Sequence, residues 1–400
     1  MPIFVWEGKT PDGRTIAGEV EAPSEAILRY RLRRQRINPT KIARKARSLT
    51  IPFLSRVSEK SVAVFTRQLA TMINAGVPII QALDILAAQQ ENKAFKKILQ
   101  QVKLDVEGGT TLAEALKKHP KVFDELFISM VIAGETGGFL DQVLNRISAY
   151  KEKALALKKK IKGAMVYPII TLVVAILVLI IILVYVIPSF QKIFADFGSA
   201  LPAPTQFVIN LSTFTKKHIA HIFLGIVGLI ISIRLIYHTE KGHYLLDNLL
   251  LKLPVLGDLL QKTAIARFSR TLSTMLQSGV PILQSLEIVA KTVGNKVIER
   301  ALLNIQKRVR QGEAMATPLA DAKIFPPLVV QMTAVGEQTG EIEGMLTKVA
   351  DFYEEEVDAA VDTLTSMLEP MMMIFLGGLI GGLVISLYLP IFKLGAVVGG

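Results

Sequence analysis

The sequence predicts a mainly α, polytopic membrane protein with two repeated cytoplasmic helical-bundle domains, three transmembrane helices and a small N-terminal α+β module. Three observations predict it. A long stretch of the chain recurs with an offset of 268 − 65 = 203 residues. Three segments are long and apolar enough to cross a bilayer. The first fifty residues carry strand and turn signals around a single helix.

Composition narrows the function classes. Hydrophobic residues make up 51% of the chain and the mean hydropathy is +0.43, high values for a soluble protein. Cysteine is absent, which removes disulfides, thiolate-held zinc, iron–sulfur clusters and thiol nucleophiles together. The formal net charge is +12. Such a charge suits either nucleic acid or anionic lipid. The densest basic run, from Lys151 to Lys162, stops just before an apolar stretch, which favours lipid. Aromatic residues are only 7%, few for a protein that stacks bases, so nucleic acid is not an expected partner.

The N-terminal module is expected over residues 1–50. Phe4–Glu7 and Thr15–Ala22 read as strands around the turn Pro11-Asp12-Gly13. Ser24 caps a helix running to Arg36, and Ile37–Ile42 adds a third strand. The arginines Arg29, Arg31, Arg33, Arg34 and Arg36 form either a solvated helix face or a contact to phosphate or lipid. A basic linker near Lys45 to Ser58 follows. No secretory signal opens the chain, which places the N-terminus in the cytoplasm.

The first helical bundle is expected over 58–165 and its second copy over 261–368. The segment Phe65-Thr-Arg-Gln-Leu-Ala-Thr-Met recurs as Phe268-Ser-Arg-Thr-Leu-Ser-Thr-Met. Phe65, Leu69, Met72 and Ile73 keep the spacing of one buried helix face. Gly76 then closes the helix and Pro78 opens the next, continued by Ile79, Leu83 and Leu86; Gly279 and Pro281 repeat the device. Gly108-Gly109 and Gly312 mark a second turn between helices.

Farther on, Gly134-Glu135-Thr-Gly-Gly138 matches Gly336-Glu337-Gln-Thr-Gly340 at an offset of 336 − 134 = 202. No lysine follows these glycines and the flanks read as helix, so a phosphate-binding loop is excluded. Two readings remain. Gly134, Gly138, Gly336 and Gly340 shape a helix–helix turn, with Asp141 or Glu343 beginning the next helix, or Glu135 and Glu337 couple the bundles to a partner. Each copy ends in a charged helix, basic around Lys151 and Lys153, acidic from Glu354 to Glu356. These helices would attract if they met; otherwise they are two solvated faces.

The spans are expected at 166–188, 219–237 and 370–391, with a periplasmic loop at 189–218. Pro168 lies in the first turn of the first span and Pro188 ends it. Lys158, Lys159, Lys160 and Lys162 precede the first span, and Lys241 and Lys252 follow the second. By the positive-inside rule the N-terminus and the middle segment lie inside, the 189–218 segment and the C-terminus outside. In the third span Gly377, Gly378, Gly381 and Gly382 form overlapping Gly-x-x-x-Gly pairs, suited to packing against another span of the chain or a second subunit.

Catalytic chemistry finds no support in the sequence. The five histidines form no H-E-x-x-H pair, no G-x-S-x-G elbow occurs, and no carboxylate lies inside a span. No catalytic residue, cofactor or metal is expected, beyond weak divalent-cation binding at Glu354, Glu355, Glu356 and Asp358.

The duplicated Phe-x-Arg-x-Leu…Gly-Val-Pro-Ile, the Gly-Glu-x-x-Gly segments and the prolines at 168 and 370 resemble the type II secretion system F family. These are inner-membrane platform proteins of type IV pili and type II secretion. The opening Phe4-Val-Trp-Glu-Gly8, Gly18-Glu19 and Arg33 to Ile42 are nearer to the pilus branch. The resemblance implies a bacterial inner-membrane homo-oligomer that hydrolyses nothing itself. It implies hexameric assembly and retraction ATPases, pilin subunits, other inner-membrane pilus components and the lipid bilayer as partners.

Overall fold

The computed structural model describes residues 3–9, 15–21, 25–34, 38–44, 57–196 and 202–398. The chain divides into two units, Met1–Arg56 and Val57–Gly400.

In the first unit, strands β1 (Ile3–Lys9), β2 (Thr15–Glu21) and β3 (Asn38–Arg44) form an antiparallel sheet in the order β2-β1-β3. Helix α1 (Glu25–Arg34) covers it. Alternation puts Phe4 and Trp6 on one face, where they pack with Leu28 and Leu32. Gly18, paired with Trp6 across the strands, leaves room for the indole; a Cβ there would lie 3.2 Å from the ring. Pro11-Asp12-Gly13, Ser24, Arg36 and the linker 45–56 fall outside the described residues.

The second unit holds both bundles. The first consists of α2 (Glu59–Asn74), α3 (Ile79–Gln89), α4 (Lys93–Glu107), α5 (Leu112–Lys117), α6 (Glu125–Gly137) and the start of α7 (Leu140–Ile181). A π-helical turn, Ile182–Val186, joins α7 to α8 (Ile187–Asp196). Next come α9 (Ala203–His238) and α10 (Glu240–Leu251). The second bundle consists of α11 (Leu256–Gln277), α12 (Ile282–Thr292), α13 (Lys296–Arg310), α14 (Ala316–Asp321), α15 (Pro327–Thr339) and the start of α16 (Ile342–Val398).

The predicted core face of α2 is realised: Phe65 and Leu69 are fully buried. Phe65 meets Phe95 edge-on at 5.5 Å, and Phe123 meets Phe127 at 5.1 Å. In the second copy Phe268 packs on Phe325 at 5.1 Å. A buried aromatic of this size contributes about 2–3 kcal/mol by removing apolar surface from water. Gly76 and Gly279 take left-handed φ values of 79° and 74°, and Pro78 and Pro281 stand immediately before α3 and α12.

Among the described residues three helices are long and apolar enough to cross a membrane: Leu140–Lys192, Ala203–His238 and Ile342–Pro390. Their boundaries correct the expectations in three places. Pro168 does not open a helix; it lies deep inside α7, as Pro370 does inside α16, so each bundle continues into its span without a break. A helix can run through a proline when only one backbone bond is forgone and neighbouring helices hold it. Pro188 does not end the helix either, which continues as α8. The π turn just before it bonds the Ile187 N–H to the Ile182 carbonyl, which gives the proline ring the room an α-turn would deny. Finally, 189–218 is helical over most of its described length rather than a loop. Val208 and Ile209 pack on Leu183, Ile187 and Leu383. Thr205 donates to the Ser386 carbonyl at 2.6 Å, and Ser212 to that of Leu183. Inside α9 the backbone leaves helical angles at His218, with φ −116°.

Candidate functional site

The Gly-Glu-x-x-Gly segments sit where α6 hands over to α7 and α15 to α16. Gly138 and Gly340 cap their helices with φ values of 74° and 77°, the left-handed conformation glycine adopts without penalty. Gly134 and Gly336 serve close approach. A Cβ on Gly134 would lie 3.0 Å from Val143, and one on Gly336 would lie 2.7 Å from the Ile342 Cα. Two helices joined by so tight a corner cross within touching distance, and only hydrogen fits between them.

Glu135 and Glu337 reach across to the short helices. The Leu112 and Ala113 N–H groups donate to the two Glu135 carboxylate oxygens, at 2.6 and 3.0 Å. The Met315 and Ala316 N–H groups donate in the same way to Glu337, Ala316 at 3.0 Å. A helix of six residues has too few internal bonds to hold itself, and its first N–H groups are orphans. A carboxylate there satisfies two of them and opposes the positive end of the helix. Thr111 adds a conventional cap to α5 through the Glu114 N–H, whereas α14 has no side-chain cap of its own at Met315.

The Arg of Phe-x-Arg-x-Leu is the second repeated device. Arg67 grips Glu152 through Nε at 2.8 Å and through a second guanidinium nitrogen. Arg270 grips Glu354 at 2.7 and 2.9 Å and also reaches Asp351. Each pair ties the first helix of a bundle to its long last helix.

The charged ends of the two copies do meet. Lys153 contacts Asp351 at 3.0 Å and Glu354 at 3.3 Å, and Lys160 contacts Asp358 at 2.9 Å. Tyr150 Oη shares a hydrogen bond with Thr271 at 3.1 Å. Three of the four acids considered for a divalent cation are engaged with cations already: Glu354 with Arg270 at 2.7 Å, Glu356 with Lys262 at 3.0 Å and Asp358 with Lys160 at 2.9 Å. The span glycines stand differently: a Cβ on Gly377, Gly378, Gly381 or Gly382 would meet nothing within 4 Å. Among the described residues no other span of the chain packs on them.

Both copies match the model of type II secretion system protein F, over residues 65–188 and 268–390. Residues 1–43 match the N-terminal domain of the same protein. The chain belongs to the type II secretion system protein F family. It is 48% identical over 398 residues to the type IV pilus assembly protein PilC of Myxococcus xanthus, covering 99% of this chain and 95% of that one. It is 42% identical to PilC of Thermus thermophilus, over 98% of each chain. The type II secretion system protein F of Vibrio cholerae is 32% identical, again over 98% of each. Family and spans together make this an inner-membrane protein. The family is one of membrane platform proteins, not a known enzyme family.

Sequence reasoning found the repeated glycines and carboxylates as a set. It missed the pairing of Arg67 with Glu152 and of Arg270 with Glu354. Their signal was available, since 270 − 67 = 203 and 354 − 152 = 202 match the repeat offsets.

Proposed function

We propose that the protein is the inner-membrane platform of a type IV pilus machine. The observation that carries this is the gap between 48% identity to a pilus assembly protein and 32% to a secretion protein F, both over nearly the full length. On this reading both bundles lie in the cytoplasm and the C-terminus in the periplasm, the chains assemble as homo-oligomers, and nothing is hydrolysed. The bundles take up motion from hexameric assembly and retraction ATPases, and the spans move pilin subunits between bilayer and filament beside other inner-membrane pilus components. The uninterrupted helices α7 and α16 suit such transmission, because a helix carries a displacement along its axis with little loss. Glu135 and Glu337, with Gly134, Gly138, Gly336 and Gly340, hold the corner where each long helix begins, and coupling through them acts by fixing that corner. The open glycines of the third span offer a surface for a neighbouring helix.

Electron microscopy of surface filaments in a deletion strain tests the reading. Filaments should vanish while pilin stays in the membrane, and return on complementation. Normal filaments with exported enzymes held in the periplasm would instead favour the secretion platform, the reading that the Vibrio cholerae match supports. Alkaline phosphatase fused after Gly198 should be active and after Gly312 silent; the reverse would overturn the orientation.

A further inference from the structure

The junction between the two bundles is one-sided. Helix α7 lays a ridge on the second bundle through Tyr150, Lys153, Leu157 and Lys160. The ridge rests on a face built from α11 and α16, where Thr271 is buried and Thr271, Asp351, Glu354 and Asp358 receive the polar contacts, the first two acids being held in place by Arg270. The repeat supplies each chain with a second ridge and a second face. At an offset of 202, the ridge recurs on α16 as Phe352, Glu355, Ala359 and Asp362, and all four are exposed, Phe352 by 44%. The face recurs on α2 and α7 as an open groove of about 420 Å3, lined by Ala63, Val64, Arg67, Gln68, Leu155 and Lys159. The Arg67 side chain is 45% exposed where its equivalent Arg270 is only 12%. The chain thus contains one filled socket, one open socket, and a second ridge of the kind that fills them, exposed along its length, with Asp362 bordering a cleft that it shares with Lys159 and Lys160 of the same chain.

We propose that the α16 ridge of one copy seats in the α2–α7 groove of a second copy of this chain. Three arguments favour that occupant. First, the geometry is already realised once, between bundles of the same fold. The two long helices run side by side in the same direction, with Lys153 beside Asp351 and Lys160 beside Asp358. A parallel contact of this kind, repeated between copies, lets every copy's spans cross the membrane in the same sense, and a heterologous contact of this kind joins copies head to tail.

Second, the charges agree. Within the chain a basic ridge meets an acidic face. Between copies the acids Glu355 and Asp362 would meet a groove edged by Lys60, Arg67 and Lys159, with Glu152 held by Arg67. The sign reversal also rejects the wrong pairing, because the basic α7 ridge of one copy is repelled by the basic groove of another. Third, the apolar parts match. Phe352 stands where Tyr150 does and Val64 where Arg267 does, and these two, exposed by 44% and 46%, would bury one another.

The inference takes from the platform reading only that several copies work together, and it names the surface that joins them. The chain has no cysteine, so introduced pairs are unambiguous. The full-length V64C/F352C variant, treated with a short bismaleimide in native membranes, should give covalent dimers and larger species. V64C alone and F352C alone should not. Adding E355K and D362K should lower the joined fraction several-fold. The Y150C/T271C pair reports the internal junction: oxidised to a disulfide it joins within one chain and yields no dimer, and introduced together with E355K and D362K it shows that this charge-reversed variant is folded. Absence of V64C/F352C dimers while Y150C/T271C closes would overturn the proposal. So would dimers from F352C alone, which mark a ridge-to-ridge contact, or a product in which F352C has captured a different protein. Normal filaments in a strain whose V64C/F352C protein gives no crosslinked dimer would remove the interface and leave the platform role standing.

Discussion

Replacing Glu135 or Glu337 by alanine should loosen the short helices unequally. Losing a helix cap costs about 1 kcal/mol, and a hydrogen bond to a charged group contributes about 1.5–3 kcal/mol. Each carboxylate accepts two N–H groups at the start of a six-residue helix, so roughly 2 kcal/mol is at stake per site. In the first bundle Thr111 keeps the α5 terminus partly held after the loss, which reduces the cost to about 1 kcal/mol. In the second bundle α14 has no other side-chain cap, and the full amount is felt. Hydrogen exchange of the full chain in nanodiscs reads this directly. With tenfold in rate per 1.4 kcal/mol, the Leu112 and Ala113 amides should exchange about 5-fold faster in E135A. Met315 and Ala316 should exchange about 30-fold faster in E337A. Glutamine at either site should recover part of the protection, since its amide oxygen still accepts one N–H. Unchanged exchange in both alanine variants would refute the capping account. Lost filament assembly in the glutamine variants with those amides still protected would show that the carboxylates act on a partner directly.

Other perturbations follow from the same geometry. G336A forces a Cβ against the Ile342 backbone at 2.7 Å, and G134A against the Val143 side chain at 3.0 Å. Overpacking predicts a loss of roughly 2–3 kcal/mol for the first and about 1 for the second, read from urea unfolding of the purified protein. R270A removes a guanidinium only 12% exposed from two carboxylates and should cost roughly 2–3 kcal/mol. R67A removes an exposed pair and should cost under about 1 kcal/mol, so equal effects in thermal melts would contradict the burial difference. Burial holds the His119 imidazole below its ordinary value against the opposing pull of Asp105. A folded state that resists protonation keeps its full stability above the unfolded value near 6.5 and loses it as pH falls below that point. Melting should therefore drop between pH 7 and pH 5, and H119N should flatten that part of the profile; the second copy, with Asp321 at the matching position, lacks this group.

The large elements were legible because they rest on patterns that sequence displays directly. A buried helix face recurs every three or four residues, a span is a long uncharged run, and a duplication is a self-match. Phe65, Leu69, Leu83 and Leu86 were read as core and are fully buried. The helix boundaries were misread because proline is a local signal and was given local meaning. Pro168 and Pro188 are carried by helices long enough to absorb one missing bond, and the π turn before Pro188 leaves no mark in composition. The helix at 203–218 did carry a signal, since Thr205, Val208, Ile209, Ser212 and Thr215 share one face, but hydroxyls on that face hid it from an apolar count. The partners of Glu135 lie 22 and 23 residues upstream, and no spacing rule connects a carboxylate to the start of a helix that far away.

What the two copies share and where they differ follow a physical division. Positions that repeat unchanged build each bundle from within: Phe65 and Phe268 in the core, Arg67 and Arg270 tying the first helix to the long one, Gly138 and Gly340 at the corner, Glu135 and Glu337 at the short helix. A fold used twice imposes these needs twice. Positions that change character lie on the surfaces through which one copy meets another: Lys153 against Glu355, Lys160 against Asp362, Ala156 against Asp358, Tyr150 against Phe352. The internal contacts of Lys153, Lys160 and Tyr150 show why they could not stay the same. A junction between identical ridges and identical faces would let either bundle bind either partner, and the order of bundles would be undetermined. Opposite charge on the two ridges makes the internal junction attractive and the competing arrangement repulsive, by a difference that low salt enlarges. Raising the ionic strength should therefore weaken the Tyr150–Thr271 junction less than any contact carried by Glu355 and Asp362, because the internal pairs around Arg270 are the more buried.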